Sequence, residues 1–425
     1  MSKLGEICKI SSSKRIFENE YQERGIPFVR GQEISDGSLL SNSCFNCYIS
    51  KERFNEIKVK YGVPQKGDIL ITAVGTIGNV CFLNKDIDFY FKDGNVLWLR
   101  NFSDNVVPEY LYFYLKSPFF KKIIGHSLIG AVQKALTMQM LSEIDIQLPP
   151  IKYQNSVVTI LKSIEYKISN NNKINAELES LAKTIYDYWF LQFEFPNEDG
   201  KPYKSSGGKM VWNEKLKREI PEGWAYSLLK DKFSIKRGVS YTSDDIKNNN
   251  GIPMLNLACI DTNRNYRDGE LKFYSGKAKA EFLSSGDLIV ACTDLTRNAD
   301  IVGSPILVPQ TGENFIFSMD LVKLIPNKDI FDKYYLYMCL RTDFYHNYIK
   351  KWASGTNVLH LNLDGISWYK TWIPPMELQN KFSNIIKKIH SKKGIILKEN
   401  RELSSLREFL LPLLMNGQVG YIENE

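Results

Sequence analysis

The C-terminal half of this 425-residue chain restates its N-terminal half at a nearly constant offset of 225 positions, and that repeat limits the possible folds more than anything else in the sequence. YLYFYLKS at 110–117 aligns with YLYMCLRT at 335–342, and LPPIKYQN at 148–155 aligns with IPPMELQN at 373–380, both without a gap. GIPFVR at 25–30 pairs with GIPMLN at 251–256, and GDILITA at 67–73 with GDLIVAC at 286–292, so the offset drifts by a few residues and then recovers. Insertions confined to the loops of a shared fold produce such a drift. A single core rarely grows beyond roughly 250 residues, so two similar lobes are expected.

Each copy keeps one internal order. Short runs rich in Ile, Val, Thr and aromatics, bounded by Gly, Pro, Asn and Asp, read as strands at 68–74, 80–83 and 95–100, and again at 287–292, 306–309 and 320–325. A shorter helix follows at 108–116 and 332–340, then a mostly polar loop holding Gly130 or Gly355. After Pro149-Pro150 and Pro374-Pro375 the period changes, because apolar residues recur at alternating steps of three and four. The positions are Val157, Ile160, Ile164, Lys167, Asn171, Ile174, Leu178, Leu181 and Ile185. In the same register the second copy has Phe382, Ile385, Ile389, Lys392, Ile396, Glu399, Leu403, Leu406 and Leu410.

Matched heptads predict that the two helices pack on each other, antiparallel, about a pseudo-two-fold axis. Ile160, Ile164, Leu178, Leu181, Ile385, Ile389, Leu403 and Leu406 are the expected apolar seam, with Lys167, Asn171, Lys392 and Glu399 as polar positions that fix register. A helix over 154–190 measures roughly 55 Å at 1.5 Å per residue. The stretch 193–224, dense in Gly, Pro, Ser and charge, reads as a linker. The expected architecture is α+β: a mixed α/β lobe at 1–148, a spacer helix at 149–192, the linker at 193–224, a second lobe at 225–373, a second spacer helix at 374–416 and a tail at 417–425.

Composition narrows function by exclusion. The hydrophobic fraction of 43% supplies cores, while a mean hydropathy of -0.28 and the lack of any apolar run of about 18 residues exclude a spanning helix. MSKLGEICKISSSKR holds no apolar stretch of signal-peptide length, so a soluble, cytoplasmic protein is expected. Seven cysteines, at 8, 44, 47, 81, 259, 292 and 339, suggest no disulfide framework and are expected as reduced thiols. Cys44 and Cys47 form one CxxC with neither a second pair nor an adjacent His, so no metal is expected.

No GxxxxGK[ST] phosphate loop occurs, and His126, His346, His360 and His390 sit at no metal or relay spacing. The Pro-Pro pairs follow Leu148 and Ile373 rather than the Asn or Asp of a methyltransferase's base-holding segment, so they read as helix starts. Neither a cofactor nor a catalytic centre is expected. The net charge of +7 and pI near 8.8 are compatible with a nucleic-acid partner.

Over nearly the whole chain this order resembles the specificity subunits of type I restriction-modification systems. The resemblance rests on LPPIKYQN and IPPMELQN, on GDILIT and GDLIVA, on SGTNVLHLN at 354–362 and on the segment ending IPEGW at Trp224. The first copy departs from it in carrying SLIGAVQKALT at 127–137 where the second has ASGTNVLHLN. The resemblance implies a non-catalytic subunit with two target-recognition domains, each reading one half of a split double-stranded DNA sequence. It also implies helices that set the gap and dock two methyltransferase (modification) subunits, with restriction-translocase subunits in the full complex. A specificity chain of another methyltransferase-dependent restriction or phage-defence complex would work the same way with different partners. A scaffold with two protein-binding lobes would instead show no dependence on DNA.

Base reading calls for bidentate donors on exposed loops. In the first lobe the candidates are Arg30, Gln32, Thr76, Gln133 and Lys134; in the second they are Asn256, which matches Arg30, with Thr296, Arg297, Asn357 and His360. By residue type alone, each is also what a turn cap or a solvated surface charge uses. Lys121-Lys122 and Lys350-Lys351 suit phosphates.

Overall fold

Ile69–Thr72 is buried at all four positions, as a strand covered on both faces must be. In the computed structural model, which describes residues 2–35, 37–40, 45–127, 135–247, 251–269, 271–277, 279–296 and 298–419, it is a middle strand of an antiparallel sheet. The order is Lys9–Ser11, Val96–Arg100, Ile69–Thr72, Val80–Phe82, with Ile71 opposite both Val80 and Leu97. Alternation divides the strand between two cores. Ile69 and Ile71 pack with Tyr110 and Leu111 of the helix Pro108–Lys116, whereas Leu70 packs with Val29, Phe91 and Trp98. Val29 and Phe91 belong to a second, smaller sheet in which Ile26–Val29 pairs antiparallel with Tyr48–Ile49 and parallel with Tyr90–Phe91.

The chain divides into two units, Met1–Ile168 with Leu403–Glu425, and Ser169–Glu402, and the second rebuilds the same lobe. Its larger sheet runs Phe233–Arg237, Leu321–Pro326, Leu288–Ala291, Pro305–Leu307. In its smaller sheet Ile252–Leu255 is antiparallel to Lys272–Tyr274 and parallel to Ile316–Phe317. Leu288 and Val290 face the helix Lys333–Arg341, while Ile289 and Ala291 face the other way into a separate core. The fold is α+β with an internal repeat.

The Pro-Pro pairs do start the long helices, Ile151–Tyr186 and Met376–Met415. The glutamine shared by both motifs has a physical reason. Gln154 is fully buried; its Oε1 accepts from the Val107 N–H at 2.8 Å, and its Nε2 donates to the Asn105 and Pro149 carbonyls at 2.9 and 2.8 Å. Gln379, also fully buried, accepts from the Asp332 N–H and donates to the Ile330 and Pro374 carbonyls, each at 2.9 Å. One amide thus satisfies three main-chain groups and ties the short helix to the long one.

Within each unit the long helices run antiparallel. In the first, the Tyr153 hydroxyl donates to the Leu414 carbonyl at 2.9 Å and Arg407 lies 3.9 Å from Glu165. In the second, Lys393 pairs with Glu179 and Asn171 with Glu399. The expected seam is out of phase at every second position. Leu181 and Leu406 are 49% and 44% exposed, and Lys167 and Lys392 are exposed. The buried stripe instead runs through Val157, Leu161, Ile164, Asn171, Ala182 and Tyr186, and through Phe382, Ile386, Ile389, Ile396, Leu411 and Leu414. Ile164 and Ile389 belong to both patterns, whereas Ile160 and Ile385 flank the buried Leu161 and Ile386.

The stretch 193–224 is not an open linker. It holds the hairpin Met210–Asn213 with Arg218–Pro221, and Phe193, Phe195, Ile220 and Trp224 are buried in the second unit's core with Trp372 and Phe382. Its polar composition reflects the tight turns, and its aromatics carry the packing.

Candidate nucleic-acid interface

In both lobes the same sheet edge projects the loops of interest. In the first, Thr72 N–H bonds to Asn79 O and Gly78 N–H to Thr72 O, each at 2.9 Å, closing a turn over 73–78 in which Gly75 and Gly78 take positive φ. Ala73 N–H bonds to Asn95 O at 2.8 Å, which brings Asn95 alongside. The short helix Gly31–Ser35 approaches from the smaller sheet, its Ser35 hydroxyl 2.9 Å from that of Thr76, and Glu33 caps it by accepting from the Arg30 N–H at 2.8 Å. The result is a cleft of about 460 Å³ lined by Arg30, Gly31, Gln32, Ser35, Val74, Gly75, Thr76 and Asn95. Arg30, Gln32 and Thr76, expected as readers, are exposed and brought together. Burial pushes the Cys47 thiol up, and the nearby Arg30 guanidinium opposes that shift. Gln133 and Lys134 lie outside the described residues.

The second lobe repeats these bonds and changes the loop. Ala291 N–H bonds to Ser304 O, Gly303 N–H to Ala291 O and Cys292 N–H to Asp320 O. Here the chain runs from 291 to 303 before closing, where the first lobe runs from 72 to 78, and this insertion is what returns the drifted offset of the repeat to 225. The longer loop is built on Asp294. That side chain is fully buried and accepts from the N–H groups of Thr296, Ile301 and Val302 at 2.6, 2.7 and 2.8 Å. Thr293–Asp294 pairs with Leu359–Leu361, which pairs in turn with Ala353–Ser354. Between those two strands, Gly355 has φ +140, and a Cβ there would stand 2.0 Å from the Val358 carbonyl, so this hairpin requires glycine.

His360, on that hairpin opposite Thr293, and Asn357, in its turn, are exposed. Arg297 lies outside the described residues. Two expectations change. Asn256 is 5% exposed and its Oδ1 accepts from the Ala258 N–H at 2.8 Å, so it caps the turn Leu257–Cys259 and does not face outward as Arg30 does. Thr296 is half-buried and its hydroxyl accepts from the Asp300 N–H at 2.8 Å, holding the loop. No local sequence pattern marks Ser35, Asn95 or Asp294; the one signal for Asp294 is the insertion it sits in.

Lys121, Lys122, Lys350 and Lys351 are exposed. Among the described residues no group of three His, Cys, Asp or Glu side chains is placed to hold a metal ion, and no helix is long and apolar enough to cross a membrane.

Two copies of one lobe that differ in the length and side chains of the loops at one sheet edge, on a chain of net charge +7, make a two-part recognition protein. The family model for the type I restriction modification DNA specificity domain matches residues 1–180 and again 221–405, and the chain belongs to that family. It is 25% identical to the type I restriction enzyme MjaIX specificity subunit of Methanocaldococcus jannaschii, across 94% of this chain and 88% of that one. It is 22% identical to the HindI specificity subunit of Haemophilus influenzae, across 91% and 94%. A crystal structure of the type I restriction-modification S subunit from M. genitalium shares the fold, with a TM-score of 0.53 at 15% identity over 97% of this chain and 94% of that one.

Proposed function

We propose that this chain selects the double-stranded DNA sequence on which a type I restriction-modification complex acts, each lobe reading one half of a split target. The observation that carries this reading is the repeated sheet edge with unlike loops. In the first lobe a guanidinium, an amide and a hydroxyl from Arg30, Gln32 and Thr76 line one cleft, and such donors suit purine edges. In the second, the Asp294-built loop, Asn357 and His360 take that place, which is the difference that two unlike half-sites call for. Gln133, Lys134 and Arg297 are further readers of the target, Asn256 and Thr296 support the recognition loops from within, and the exposed lysines meet phosphates.

The long helices set the gap between half-sites and dock two methyltransferase subunits, with restriction-translocase subunits completing the complex. The chain works in the cytoplasm and performs no catalysis itself. Mapping methylated DNA in cells with and without the chain tests this. A split motif should vanish on deletion, and exchange of residues 5–148 for the equivalent lobe of a relative should rewrite one half of it alone. A simultaneous change in both halves overturns the lobe-by-lobe reading.

A further inference from the structure

The second lobe is fastened to its own long helix by residues that the first copy lacks. Arg401, on Met376–Met415, is three-quarters buried, and its Nε and Nη2 each donate to the Asp268 carboxylate at 2.7 Å while Nη1 donates to Glu313. Asp268 lies on the loop that follows the turn Leu257–Cys259, and Glu313 shortly precedes the strand Ile316–Phe317, so one planar cation joins two loops of the smaller sheet to the helix. Two turns earlier on the same face, a Cβ on Gly394 would stand 2.6 Å from the Gln310 carbonyl, and one turn before that His390 Nε2 lies 3.0 Å from the Val308 carbonyl. The same face thus meets this lobe at three successive places. At the equivalent positions 225 residues earlier stand Ala176, Ser169 and Glu165, which offer neither the cation nor the bare backbone.

We infer that Arg401 is a positioning residue that locks the smaller sheet of the second lobe against its spacer helix, and so fixes where that lobe's half-site falls relative to the other. The inference rests on the reading that the helices set the gap. The sheet held by Arg401 packs through Leu255 and Phe317 against Ile289 and Ala291, the strand from which the Asp294 loop springs. Without the guanidinium, two carboxylates confront each other in a partly dry contact, and the sheet, left with the contacts at Gly394 and His390, is able to rock on the helix. Successive base pairs are only about 3.4 Å apart, so a small rocking is enough to admit a neighbouring gap.

The test is methylation mapping in cells that carry the complete complex with R401A, R401K or D268N. Wild type should methylate a single gap. R401A should also methylate sites whose gap is one base pair shorter or longer, with both half-site sequences unchanged; R401K should do so less, and adding D268N to R401A should restore part of the preference for the single gap, because it removes one of the two confronting carboxylates. D268N keeps the Glu313 contact and carries the test if R401A does not accumulate. A variant that melts earlier yet keeps the single gap would show a merely structural contact and overturn the inference. If the wild-type motif is not split at all, the functional reading falls first, and that outcome is distinct from a split motif whose gap ignores Arg401.

Discussion

Asn171, only 2% exposed, donates from its Nδ2 to the Glu399 carboxylate and to Asn400 Oδ1, both at 2.8 Å, and Asn400 donates in turn to Asn172 Oδ1 at 3.0 Å. An amide layer therefore crosses a seam that is otherwise largely apolar. A buried asparagine in such a seam specifies register, because sliding one helix along the other strands its polar groups against hydrocarbon.

Removing this layer should destabilise the chain. N171L leaves Glu399 and Asn400 short of a donor and should cost about 1–3 kcal/mol. N171D should cost more, since it sets a second carboxylate against Glu399. Urea denaturation at neutral pH and low salt checks the order, and an N171D protein as stable as wild type would contradict it.

The twin glutamines should behave alike. Q154M or Q379M orphans one N–H and two carbonyls, at about 1–3 kcal/mol for each group left unsatisfied in the interior. Both variants should melt well below wild type. A mild effect at one site beside a severe one at the other would mean that the equal geometry does not carry equal energy.

Loop variants should act on one half-site each. R30A should relax recognition at a position in the first lobe's half, at about 1–3 kcal/mol per lost bidentate contact. D294A should degrade the other half, because the loop from Thr293 to Val302 loses the acceptor of three N–H groups. Methylome sequencing of the two strains reads both effects, and degradation of the same half by both variants would rule out the assignment.

Six of the thiols should be inert in the folded chain. Cys8, Cys47, Cys81, Cys259, Cys292 and Cys339 are buried, and burial pushes the Cys8 thiol up to about 12 and those of Cys81 and Cys292 up to about 11. Alkylation needs the thiolate, so iodoacetamide at mildly alkaline pH should leave these six unmodified until the chain unfolds. Peptide mass spectrometry on native protein would detect the contrary.

The repeat, the order of strands and helices, and the helix starts at Pro149-Pro150 and Pro374-Pro375 were all determined by the sequence itself, because periodicity and turn chemistry are local properties of neighbouring residues. Heptad phase was not. A pattern that contains Ile164, Asn171 and Leu178 is compatible with a seam through either Leu181 or Ala182, and only the facing helix decides between them. It chose Ala182, 3% exposed, and made the matching choice of Arg407 over Leu406 in the other copy.

The packing of 193–224 is hidden from the sequence for a related reason. Gly, Pro and Ser describe its turns, whereas Phe193 and Trp224 are held by core residues as distant in sequence as Trp372. At the candidate interface the sequence supplied the residue types and the tertiary structure supplied the company they keep. Asn256 aligns with Arg30, yet its short amide reaches only its own turn and caps it. Ser35 and Thr76 stand 41 positions apart and meet only because two sheets stack through Val29 and Leu70, a contact between distant residues that no local pattern encodes.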